Sequence, residues 1–72
     1  MPRFPSVSAA QAIKCFEKIG YRVVRQRGSH VRMHHAAKKP LTIPAHKTLG
    51  KGLLRKLIRD SELTVEEFNS LL

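Results

Sequence analysis

Arg25-Gln26-Arg27-Gly28-Ser29-His30-Val31-Arg32 is the stretch on which the reading of the chain turns. A glycine, free to take a positive φ, stands where one strand-like run must reverse into the next. On its near side Tyr21 to Arg27 is rich in β-formers around Val23 and Val24. On its far side Val31 and Met33 alternate with His30, Arg32 and His34. Successive side chains of a strand point to opposite faces, so burying Val31 and Met33 sends His30, Arg32 and His34 together to the other face. An imidazole then stands among guanidinium groups. Histidine accepts and donates protons near neutral pH, and cations hold a phosphate and stabilise charge that builds on it. The pattern suits chemistry on a phosphodiester, although a histidine beside a turn is by itself more often a solvated surface group.

Upstream of the hairpin, Met1 to Val7, with Pro2 and Pro5, reads as an extended lead-in. Ser8-Ala9-Ala10-Gln11 is a capping box that opens a helix. Ala9, Ala12, Ile13, Phe16 and Ile19 recur on one helical face, with Cys15 near its edge as a buried structural thiol, and Gly20 closes the helix as a C′ glycine. Downstream, Ala36 to Pro40 is a basic turn, and Leu41-Thr42-Ile43 is a short third strand closed by Pro44. Short connections between three short strands imply an antiparallel meander. After a loop carrying His46 and Lys47, a second helix is expected from about Gly52 to Ser61. It would turn Leu53, Leu54, Leu57 and Ile58 to the core and Arg55, Lys56 and Arg59 outward. Thr64-Val65-Glu66-Glu67 is a second capping box, opening a short terminal helix with Val65, Phe68 and Leu72 as packing groups. The order is that of an α+β fold with helices covering one sheet face and the other face open.

Charge says what kind of ligand such a face would meet. The 72 residues carry a formal charge of +9, and between Lys18 and Arg59 there is no Asp or Glu, while 12 of the 14 Lys and Arg and all four His lie there. This is the electrostatic footprint of a nucleic-acid binder. One small domain, residues 1–72, leaves no room for a deep cofactor cleft. The single cysteine excludes an internal disulfide framework, and no apolar run approaches the ~20 residues that span a bilayer. A cytoplasmic protein with no membrane partner is the expectation.

Several chemistries find no support in the residues. The basic stretch has no carboxylates for Mg²⁺ and no Cys/His spacing of the zinc type, and His34 and His35, adjacent on a strand, point apart. Neither a metal nor an organic cofactor is expected. No acidic residue lies near Ser29-His30 to complete a triad. Metal-free cleavage of RNA remains, because the 2′-hydroxyl is an internal nucleophile and the enzyme need supply only a base, an acid and cations. A non-catalytic RNA-binding module would use the same charge. Gly50-Lys51-Gly52 reads either as a phosphate-holding helix start or as a plain loop, and Ser29 either contacts a phosphate or satisfies turn amides.

Gly28-Ser29-His30, then Ile43-Pro44-Ala45-His46-Lys47, then Leu53-Leu54-Arg55-Lys56-Leu57-Ile58 and the tail Leu63-Thr64-Val65-Glu66-Glu67-Phe68 resemble the HicA, or YcfA-like, toxin family of type II toxin-antitoxin systems. The resemblance covers nearly the whole chain from Ser8. It implies a fold similar to a double-stranded-RNA-binding domain and an mRNA interferase, an endoribonuclease acting on mRNA, neutralised by a HicB antitoxin. It places the family's catalytic histidine on His30. Many relatives carry Gly-Thr-Leu where this chain has Gly52-Leu53-Leu54, so a threonine cap or a phosphate contact is expected to be missing there. Around His30, the RNA-binding set expected is Arg27, Gly28, Ser29, Arg32, His46, Lys47 and Lys51, with His46 either a phosphate contact or the partner acid.

Overall fold

The computed structural model of the chain describes residues 4–45 and 48–72. In order, the elements are helix α1 (Ala9–Lys18), strands β1 (Arg22–Arg27), β2 (His30–His34) and β3 (Leu41–Pro44), helix α2 (Lys51–Asp60) and helix α3 (Val65–Leu71). Both pairings are antiparallel and the sheet order is β1-β2-β3, the expected meander.

Local chemistry explains each boundary. Ser8 accepts from the Gln11 amide while the Gln11 side chain accepts from the Ser8 amide, and Thr64 and Glu67 repeat the arrangement at α3. At the other end of α1 the Gly20 N–H donates to the Glu17 carbonyl and the Tyr21 N–H to the Phe16 carbonyl, a Schellman closure. Gly20 takes φ +105°, and the Tyr21 ring meets Phe16 edge-on at 5.8 Å between centroids. A Cβ on Gly20 would stand 2.9 Å from Nε2 of His35, the atom that holds the Ile19 carbonyl. Gly20→Ala therefore combines an unfavourable φ with a collision against an anchored ring, and a loss of about 2 kcal/mol is expected. In a thermal melt that corresponds to a Tm lower by roughly 8–16 °C.

The core lies between the helices and one face of the sheet. Val31 and Met33 of β2, Leu41 and Ile43 of β3, Phe16 and Ala12 of α1, Leu54 of α2 and Phe68 of α3 are all buried. The lead-in is tied to it: Val7 is buried, its carbonyl accepts from the Leu49 amide at 2.9 Å, and Phe4 lies beneath the Arg55 guanidinium. Cys15 is buried, as expected of a structural thiol; burial raises its thiol pKa against the opposing pull of Lys18.

Two expectations are corrected. Helix α2 begins at Lys51, with Gly50 as its N-cap and no side chain closing the cap. At the C-terminus it is Leu71, not Leu72, that packs on the core. The Leu72 amide reaches back three residues to Asn69, tightening the last turn and leaving the Leu72 side chain 52% exposed.

Candidate RNA-binding face

The hairpin turn is made by two residues, Gly28 and Ser29, between the cross-strand pair Arg27 and His30. Gly28 takes φ +58° and Ser29 a negative φ, the sign pattern of a type II′ turn. The Ser29 carbonyl accepts from the Ala45 amide, which extends the β2–β3 ladder past the turn. Parity follows as expected. Val31 and Met33 are buried and His30 and His34 exposed, with Arg32 half-buried between them.

β1 departs from a regular strand. Val23 pairs with Met33 and Arg25 with Arg32, so Val24 is an extra residue, a bulge without a partner on β2. Every residue of β1 is exposed, including Val23 and Val24. Because of the bulge, Arg22 stands opposite His34, Arg25 opposite Arg32 and Arg27 opposite His30. Directly opposed residues share a face, so all three arginines of β1 join the histidines.

On this outer face Arg25, Arg27, His30, Arg32, His34 and Thr42 line one open concavity of about 480 Å³. Arg32 Nη1 donates to Thr42 Oγ1 at 2.8 Å, which fixes the guanidinium beside its neighbours. No carboxylate lines the concavity, and among the described residues the one ion pair joins Lys56 to Asp60 on α2 at 3.9 Å. The three guanidinium charges are therefore left to solvent or to an anionic ligand. His30 makes no side-chain hydrogen bond among the described residues, so its ring nitrogens are open to a ligand. Phe, Tyr and Trp are absent from the lining, so a ligand here is held chiefly by its charges.

Of the residues expected at the site, Arg27, His30 and Arg32 are brought together here, with Gly28 and Ser29 forming the adjoining turn. Lys51 is exposed on the first turn of α2 and does not line the concavity. His46 and Lys47 lie outside the described residues. Three lining residues were missing from the expected set. Arg25 was legible, since it shares the parity of Arg27; His34 was on the expected face without a role. Thr42 faces Arg32 only through the register across the turn 36–40, which no local signal sets.

Other basic groups are used by the fold. His35 donates from Nε2 to the Ile19 carbonyl at 2.9 Å and accepts at Nδ1 from the Ala37 amide, a pattern that selects one neutral tautomer. Its ring lies 4.9 Å from that of Tyr21, whose hydroxyl donates to the Lys39 carbonyl. Burial raises the Tyr21 pKa, with Glu62 and Asp60 adding to it, so the phenol remains a donor. Lys38 donates to the Ser61 carbonyl at the end of α2, and Lys18 to that of Leu71 at the end of α3.

Among the described residues no helix is long and apolar enough to cross a membrane. No individually curated protein matches the chain. A family model described as the HicA toxin of bacterial toxin-antitoxin systems matches residues 9–63, a span that takes in α1, the whole sheet and α2. The chain belongs to the HicA toxin family, the toxin side of a bacterial toxin-antitoxin pair.

Proposed function

We propose that the chain is a metal-independent endoribonuclease that cleaves single-stranded mRNA in the cytoplasm, with His30 as its general acid/base. The observation that carries this reading is the exposed His30 imidazole in one concavity with Arg25, Arg27 and Arg32 and no carboxylate. In the reaction a base removes the 2′-hydroxyl proton and O2′ bonds to the adjacent phosphorus. The P–O5′ bond then breaks as an acid protonates O5′. The products are a 2′,3′-cyclic phosphate and a free 5′-hydroxyl, so no external nucleophile is consumed. Arg27 and Arg32 hold the phosphate and stabilise its developing charge, and Lys47 is assigned the same task from sequence. Ser29 and Gly28 allow close approach of the backbone at the turn, and Lys51 adds a more distant phosphate contact.

His30 supplies one of the two proton transfers. His34 is not the other, because it stands four residues along β2, about 13 Å of strand, from His30. His46 is the proposed second group or a phosphate contact. A HicB-like antitoxin with an acidic surface would silence the toxin by covering this face, since it must meet the same charges that RNA meets.

The deciding experiment is incubation of the purified chain with an end-labelled single-stranded RNA in excess EDTA. Fragments ending in 2′,3′-cyclic phosphate are expected. RNA binding without any cut would reduce the protein to a non-catalytic RNA-binding module.

A further inference from the structure

The outer face of the hairpin extends beyond the concavity around His30. At the far end of the strands, Gly20, Arg22, His34, His35 and Ala36 line a second crevice of about 380 Å³. His34 belongs to both linings, so the two form one continuous strip. Nε2 and Nδ1 of His35 are both occupied by backbone groups, which leaves Arg22 and His34 as the side chains of this crevice available to a ligand.

The Val24 bulge creates this continuity. Arg22 and Arg25 are three residues apart and on a regular strand would point to opposite faces. The extra residue restores their agreement. The hairpin thereby presents three cross-strand pairs in succession, Arg27 with His30, Arg25 with Arg32, and Arg22 with His34. Regular strand pairs on one face recur about every 6.7 Å, a step that an extended sugar-phosphate backbone can follow. No acidic side chain interrupts either lining. Neither lining holds a large aliphatic side chain or a Phe, Tyr or Trp on which a protein partner could anchor, so the strip suits a chain of phosphates better than a protein surface.

We propose that Arg22 and His34 form a distal phosphate-binding subsite, so that single-stranded RNA runs lengthwise along the β1–β2 hairpin with its scissile phosphate at the Gly28-Ser29 end. This assignment rests on the ribonuclease reading above and gives its substrate a path and a minimum length. An RNA must reach about 13 Å beyond the scissile phosphate to use the whole strip.

The test uses a 2′-O-methyl RNA hexanucleotide, which binds but has no free 2′-hydroxyl to attack, with affinity measured by fluorescence anisotropy between 50 and 200 mM salt. Arg22→Ala is compared with Lys14→Ala, which removes the same charge from the exposed side of α1. Relative to that control, Arg22→Ala is expected to weaken binding roughly fivefold. It should also make the slope of log K against log salt shallower by about 0.7, the loss of one single-strand phosphate contact. Arg22→Lys should recover the slope, because the charge returns at the same place. If Arg22→Ala behaves like Lys14→Ala, the distal subsite is wrong and the ribonuclease reading survives. If the wild-type chain does not bind the hexanucleotide, the RNA reading fails and the subsite falls with it.

Discussion

Alanine at position 30 is expected to slow RNA cleavage by about 10²- to 10⁴-fold, the usual weight of one positioned general acid or base. The circular dichroism spectrum and Tm should stay those of the wild type. Stability is spared because the imidazole is exposed and makes no side-chain hydrogen bond among the described residues, while the strand pairing of His30 with Arg27 and Pro44 is a backbone matter. RNA affinity should also change little, since the guanidinium groups of Arg25, Arg27 and Arg32 remain. The combination is diagnostic. A matched fall in binding and cleavage would make His30 a binding residue, and undiminished cleavage would move the proton transfer elsewhere, with His46 the next residue to replace.

The parts of this fold that could be read in advance are those set by chemistry within a few residues. Both capping boxes, the Gly20 closure, the Gly28 turn and the alternation that separates Val31 and Met33 from His30, Arg32 and His34 all lie within one turn or one strand. The misses arise where distant parts of the chain decide. Nothing in Arg22-Val23-Val24-Arg25 marks Val24 as a bulge; the register with β2 does so, and with it the face on which Arg22 stands. The end of α2 lacks the glycine that marked the end of α1. Glu62 instead takes φ +62°, with its amide on the Arg59 carbonyl and the Leu63 amide on that of Ile58. Lys18 and Lys38 look like members of the basic face by composition, but each reaches a helix-end carbonyl instead.

The largest effect on stability is expected from a residue beyond the span that matches the HicA model, which ends at residue 63. Phe68 of α3 is fully buried, and its ring meets Phe16 at 5.5 Å, which in turn packs on Tyr21. One aromatic cluster thus joins α3, α1 and the residue that leads into β1. Phe68→Ala removes a ring from this cluster and leaves a cavity that a core this small can only partly close, a cost of about 3–5 kcal/mol. A 72-residue domain has only about 4–11 kcal/mol of stability in total. Thermal denaturation should therefore show Tm lowered by more than about 10 °C. A melt within a few degrees of the wild type would mean that α3 is an appendage rather than a wall of the core. Phe68 belongs to the layer behind the sheet and His30 to the open face in front of it. At a temperature where the variant is still folded, its RNA cleavage should persist, opposite to the behaviour of His30→Ala. The two substitutions together separate what builds the domain from what the open face does: loss of stability with cleavage retained in one, loss of cleavage with stability retained in the other.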